Sequence, residues 1–213
     1  MHVPDHFAEA RREELHHIIR HHPFGMLVTH TAAGLDADHL PFVLDPERGP
    51  CGTLIVHLAR ANPVWTALHD GDPVLVVFRG AHGYISPTWY ASTRETPRQA
   101  PTWNYQAVHA HGRVRIFDDP QVVRGMVAAL VRQQEASMPR PWKMSDAPED
   151  YLAENLAQLV GMEIGITRLE GQQKLSQNKD DRDFASTLAA LEERGEAGLA
   201  AAMKRVRAPG GQP

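Results

Sequence analysis

Three short stretches of this 213-residue sequence carry side chains able to do chemistry. In HLARANPVW, residues 57–65, an apolar run ends in Arg60 and Asn62, and a helix can begin at Pro63, with Trp65 inside it. A strand end followed by a helix N-terminus offers backbone N–H donors and a favourable dipole to an anion, and an arginine adds a two-pronged phosphate clamp. The plainer alternative is that Asn62 caps the helix. YISPTWY (84–90) and PTWNYQ (101–106) interleave Trp89, Tyr90, Trp103 and Tyr105 with Ser86, Thr88, Asn104 and Gln106. Flat aromatic faces beside fixed amides suit a planar heterocycle, and suit an aromatic core or a subunit interface equally well. In KLSQN, Lys174, Ser176, Gln177 and Asn178 could wrap a phosphate or a ring edge, or simply form a capped turn.

Other chemistries find less support. His16, His17, His21 and His22 lie on or beside the first helix and read as a solvated face. His109 and His111 share one strand face, where zinc or haem iron is conceivable, but no acid or cysteine stands at a compelling spacing, and no metal is expected. Dinucleotide, P-loop and GxSxG fingerprints are missing. Cys51 is the single cysteine, so no internal disulfide forms and a reducing compartment is implied. The net charge of −4 argues against a broad basic footprint for nucleic acid. No run approaches ~18 apolar residues and the N-terminus lacks a signal-like apolar stretch. The expectation is a cytoplasmic protein without a membrane segment.

Periodicity supplies the elements that would position these groups. It predicts a helix over 8–21 and strands over 24–30, 35–45 (kinked or edge-like at Pro41), 53–59, 73–80 and onward, 102–117 and 163–170. The runs at 53–59 and 73–80 are nearly continuous and read as buried on both faces. A short helix opens at Pro63, and another at Pro120, capped by Asp118 or Asp119. The latter carries Val122, Val123, Met126, Val127, Leu130 and Val131 at helical spacing. A third helix over 148–160 turns Tyr151, Leu152, Leu156 and Leu159 inward, and helical residues run from about 184 to 206 before an APGGQP tail. About six strands with few helices and short connections define an α+β class, mainly antiparallel β: a barrel or sandwich with peripheral helices.

One strand poses a puzzle. In 102–117, Val108, Ala110, Val114 and Ile116 share a face, yet Thr102, Asn104 and Gln106 continue the same parity. The expectation is that the first half leaves its own barrel, turns its polar set to a ligand and its aromatics to a partner subunit, with a bulge near Ala107 easing the change of facing.

Taken together and in order, HLPF (39–42), HLARANPVW, AHGYISPTWY, PTWNYQAVHAHG, GMEIGI and KLSQN resemble the PaiB family of FMN-binding negative transcriptional regulators, over about residues 1–206. The resemblance implies an FMN-binding split β-barrel with peripheral helices over 1–178, and a helical extension and tail over 179–213 packed on the same domain. It implies a homodimer with FMN at the subunit interface. By analogy of strand order, the cofactor-binding residues would be His39, Leu40, Arg60, Asn62, Trp65, Ser86, Trp89, Tyr90, Trp103, Asn104, Tyr105, Lys174, Ser176, Gln177 and Asn178, with Arg60, Asn62 and Trp65 near the phosphate. The implied function is negative transcriptional regulation acting through flavin. The alternatives are an FMN-dependent oxidoreductase of a small substrate and a haem-binding or haem-degrading split barrel. No helix-turn-helix is visible, so direct DNA binding has only the short basic segment MKRVR behind it.

Overall fold

Alternating burial along extended segments organises this chain, whose computed structural model describes residues 1–208. In chain order the elements are β1 (Ala8–Glu9), α1 (Arg12–His21), β2 (Phe24–Thr31), β3 (Gly34–Pro41), β4 (Val43–Asp45), β5 (Thr53–Ala59), α2 (Val64–Ala67), β6 (Pro73–Ile85), β7 (Thr102–Phe117), α3 (Pro120–Glu135), α4 (Glu149–Leu156), β8 (Leu159–Lys174), α5 (Asp181–Glu193) and α6 (Ala197–Arg207). The strands form one eight-stranded sheet in the order β3-β2-β6-β7-β8-β5-β4, with β1 paired to β8. This is the expected α+β arrangement with an antiparallel sheet.

The contacts divide the chain into two compact units. One comprises Met1–Ile18, Arg79–Val108 and the chain from Glu170 onward; the other comprises Ile19–Phe78 and His109–Leu169. In the second unit, β2 and β3 form a hairpin whose register runs from Phe24 opposite Pro41 to Thr31 opposite Gly34. Gly34 takes a φ of 108°, the left-handed backbone such a tight turn needs. β5 lies against β8, Leu54 opposite Ile164 and Val56 opposite Met162, and all four side chains are buried. α3 opens at Pro120 with the Asp119 carboxylate accepting from the N–H groups of Gln121 and Val122. In the first unit, α5 and α6 close a core of Ile85, Leu175, Phe184, Leu191, Leu199 and Met203.

Several expectations need correction. β5 and β6 are not buried on both faces: their apolar runs alternate between buried and half-buried positions. The first helix begins at Arg12, because Ala8 and Glu9 pair with Gln172 and Gly171 as a strand. Gly171 permits that approach, since a Cβ there would stand 2.8 Å from the Glu9 carbonyl oxygen. The strand over 35–45 divides at Phe42 into β3 and β4, which together with β1 makes eight strands rather than six. α4 stops at Leu156, and β8 already includes Leu159 and Val160. Tyr151 and Val122 are exposed rather than inward. The long final helix is two, separated at Gly195 with a φ of 75°. His16 is buried, not solvated. The tail beyond Ala208 lies outside the described residues.

Candidate functional site

The puzzle of β7 resolves without any change of facing. Even-numbered residues stay buried from Asn104 to Val114, so the strand interior simply passes from apolar to polar. Asn104 is 1% exposed and Gln106 6%. Their amides are used inside the protein. Asn104 Nδ2 donates to Ser176 Oγ at 2.9 Å, and Gln106 Nε2 donates to Gln173 Oε1 at 2.7 Å. Gln173 in turn donates to Glu9 Oε2 at 2.8 Å, and Arg11 holds the same carboxylate through Nη2 at 2.6 Å and Nε at 3.0 Å. Burial pushes the Glu9 carboxyl up, but the bonds from Arg11 and Gln173 outweigh it and hold the group below the ordinary glutamate value. Tyr105, on the other parity, donates its hydroxyl to Gln172 Oε1 at 2.9 Å.

The end of β8 meets this polar interior through KLSQN. Ser176 is buried and has a φ of 65°, an uncommon backbone for a residue with a side chain. The Gln177 side chain folds back on the turn, accepting from the Leu175 N–H at 2.7 Å and donating to the Gln173 carbonyl. The Lys174 ammonium donates to the Trp103 carbonyl at 2.8 Å and to the Thr102 hydroxyl. Burial pushes Lys174 below the ordinary lysine value.

A cavity of about 350 Å³ opens here, lined by Tyr90, Arg98, Gln99, Asn104, Lys174 and Lys179 among others. Lys179 Nζ sits 4.1 Å from the Tyr90 ring centroid and donates to Gln99 Oε1 at 2.8 Å. Tyr90 is 2% exposed, and its hydroxyl has no hydrogen-bond partner. Burial and the Asp183 charge push that hydroxyl up, so it keeps its proton. The segment carrying Arg98 and Gln99 is fastened by Asp183, which accepts from the Ser92 N–H at 2.8 Å and hydroxyl at 2.6 Å. A bidentate Glu95–Arg182 pair and a Gln99–Ser92 bond add to it.

The structure thus gathers Tyr90, Asn104, Lys174, Ser176 and Asn178 around one cavity. Ser86 and Trp89 line a separate cavity of about 310 Å³ with Tyr84, Leu191, Arg194 and Glu196. Trp103 is 55% exposed and meets Tyr84 edge-to-face at 6.4 Å. His39, Leu40, Arg60, Asn62 and Trp65 belong to the other unit. There Asn62 is used within the protein: its Oδ1 accepts from the Val64 N–H at 2.9 Å while Nδ2 donates to Asp38 at 2.6 Å. Trp65 Nε1 donates to the Arg60 carbonyl at 2.8 Å. The Arg60 guanidinium pairs with Asp118 and donates to the carbonyls of Ala157 (2.7 Å) and Leu159 (3.1 Å). His39 is exposed, its ring 6.2 Å from that of Phe24. Arg98, Gln99 and Lys179 are not singled out by the sequence; for Arg98 and Gln99 the available signal is the polar segment STRETPRQA between two aromatic motifs, and for Lys179 its place directly after KLSQN.

The antiparallel sheet and its helices have the fold of flavin-binding split-barrel proteins. Solved structures agree on the fold: the FAD and heme binding protein from Mycobacterium smegmatis aligns with TM-score 0.57 at 16% identity, covering 84% of this chain and 79% of that one. The flavocytochrome Anf3 from Azotobacter vinelandii aligns with TM-score 0.56 at 15% identity, covering 86% and 78%. Residues 1–168 match the family model FMN_bind_2, described as "Putative FMN-binding domain". Among curated relatives, an uncharacterized protein of Emericella nidulans is 34% identical over 88% of this chain and 89% of its own. Protease synthase and sporulation protein PAI 2 of Bacillus subtilis is 29% identical over 90% and 89%. The chain belongs to the PaiB family of FMN-binding domains, and its cofactor is FMN. The residues present fit that group, because Lys174 and Lys179, which line the cavity, are donors of the kind a phosphate ester takes.

Proposed function

We propose that this protein is an FMN-binding negative regulator that acts through its flavin and does not itself read DNA. One contrast carries the reading: where the cations sit without acids, and where they do not. Around the large cavity, Arg98, Lys174 and Lys179 form no ion pair. On α6, by contrast, Lys204 meets Glu192, Arg205 meets Glu14 and Arg207 meets Asp181. The basic segment expected to touch DNA phosphate is therefore already neutralised within the protein. The name of the Bacillus relative, which refers to protease synthesis and sporulation, supports a regulatory role. When bound, FMN supplies electron and hydride transfer, and its redox state is the signal such a regulator would carry.

A competition assay at physiological salt, candidate promoter against scrambled DNA, with and without FMN, checks this reading. The expected result is weak, steeply salt-dependent binding with little discrimination. A preference for the promoter of about a thousandfold, the low end for specific regulators, would make the protein a direct repressor with flavin as effector. A homodimer belongs to the same proposal: exposed Trp103 and Tyr84 (55% and 47%) form an aromatic pair of the kind interfaces cover. Light scattering should give twice the chain mass, and a result equal to the chain mass would remove the dimer. We also retain residues 1–178 as the flavin-binding part, with the helical extension from 179 packed on it; hydrogen exchange should show flavin protection within 1–178, and protection confined to the extension would refute the division.

A further inference from the structure

We propose that the cavity between the end of β6 and the α5–α6 corner is a second small-molecule site, apart from the flavin, and that it takes an aromatic amino acid, with the ring against Tyr84 and Trp89, the carboxylate on Arg194 and the ammonium toward Glu196. The cavity measures about 310 Å³, at the lower end for small-molecule sites, and two aromatic rings, Leu191 and one charge of each sign line it. Local structure sets each wall. The Ser86 hydroxyl accepts from the Thr88 N–H at 3.3 Å and the Trp89 N–H donates to the Ser86 carbonyl at 3.1 Å, which holds the indole against the core of Ile85 and Leu191. Trp103 braces Tyr84 edge-to-face. α5 ends in a tight turn: the Arg194 N–H donates to the Ala190 carbonyl, Gly195 takes its left-handed φ of 75°, and the Glu196 N–H donates to the Leu191 carbonyl at 2.9 Å. That turn delivers a cation and an anion, one on each side of Gly195, to the same cavity. The Arg194 guanidinium lies 5.5 Å from the Trp89 ring centroid, a contact through the ring face. Among the described residues, its N–H groups have no acceptor and the Glu196 carboxylate has no donor. One placed cation and one anion beside aromatic faces match the zwitterion and ring of an aromatic amino acid; a simple carboxylic acid would leave Glu196 unmatched, and an amine would leave Arg194 unmatched. Leu191, Arg194 and Glu196 also lie beyond residues 1–168, which match the FMN-binding family model, so the helical extension builds half of this site. On this reading Trp89, which strand-order analogy gives to FMN, serves the amino acid.

Calorimetric titration of the full chain with phenylalanine tests this, beside two truncated probes: phenethylamine, which lacks the carboxylate, and 3-phenylpropionate, which lacks the ammonium. Phenylalanine should saturate a single site at millimolar concentration, and each truncated probe should bind about tenfold more weakly, the value of one charge-assisted hydrogen bond. Arg194→Gln should cost phenylalanine about tenfold and leave phenethylamine unaffected, and Glu196→Gln should cost it about tenfold and leave 3-phenylpropionate unaffected. Both side chains are exposed, so both variants should fold, and melting without ligand checks this. Phenylalanine affinity should be the same with the chain saturated in FMN. No saturable binding of phenylalanine, equal affinity for the three probes, variants that bind as wild type does, or competitive displacement of phenylalanine by FMN would each overturn the assignment; the last would place the flavin itself in this cavity.

Discussion

Asp183→Ala should destabilise the protein by about 2–3 kcal/mol, which for a chain of this size lowers the melting temperature by roughly 5–10 °C. Asp183 is 3% exposed and holds both the N–H and the hydroxyl of Ser92, itself buried. Burial pushes the carboxyl up, yet the Ser92 bonds hold it below the ordinary aspartate value, so it is the charged form that fastens the segment. Truncation leaves a buried N–H without a partner, which is costlier than the mean value of a hydrogen bond. The effect should also reach the cavity: Ser92 accepts from Gln99, and Gln99 accepts from Lys179. The segment from Ala91 to Ala100 contains Arg94 and Arg98, so limited trypsin digestion should cut it faster in the variant. FMN affinity should fall as well. Unchanged melting together with unchanged cleavage would show that Asp183 does not fasten the segment.

Glu9→Gln should cost about 2 kcal/mol at neutral pH, by weakening the bonds from Arg11 and Gln173 to a carboxylate that is almost fully buried. The pH dependence has a definite sign. The folded-state pKa of Glu9 is depressed, so its contribution is fully present above the ordinary glutamate value, about 4.3. It is lost as pH falls through the lower, folded-state value. Urea unfolding near pH 7 and near pH 3 should therefore show a gap between wild type and variant that narrows in acid. A gap independent of pH would mean that the charge of Glu9 contributes nothing.

Much of the fold is legible in the sequence where the local pattern and the tertiary environment agree. β5 ends where its apolar run does and β7 where its alternation does, because polar or turn residues flank them. Legibility fails where burial is polar. The end of β8 carries Gln172 and Gln173, buried but hydrophilic, so no apolar rhythm announces the strand past Glu170. At its other end, Leu159 and Val160 continue the helical spacing of α4, and only the ladder with β5 makes them strand. On β7 the polar residues are identifiable as unusual, but their parity suggests a change of facing where the interior itself is polar. The site shows the same divide. KLSQN and Asn104 stand out by residue type. Arg60 also stood out, yet its partner Asp118 lies 58 residues away, and no local pattern reports that an arginine is already paired. Arg98 and Lys179 carry no motif, and the long-range bonds of Asp183 to Ser92 and Lys179 to Gln99 bring them to the cavity.

The central claim, that the protein binds FMN in a site of its own, is tested most directly by titrating apo-protein with FMN while recording flavin absorption and fluorescence. Saturation at one FMN per chain, with a perturbed flavin spectrum, is the predicted result. No saturable binding would contradict the account. A Soret band on reconstitution with haem, with no response to FMN, would contradict it in favour of a haem protein built around His109 and His111, whose rings lie 6.4 Å apart on β7.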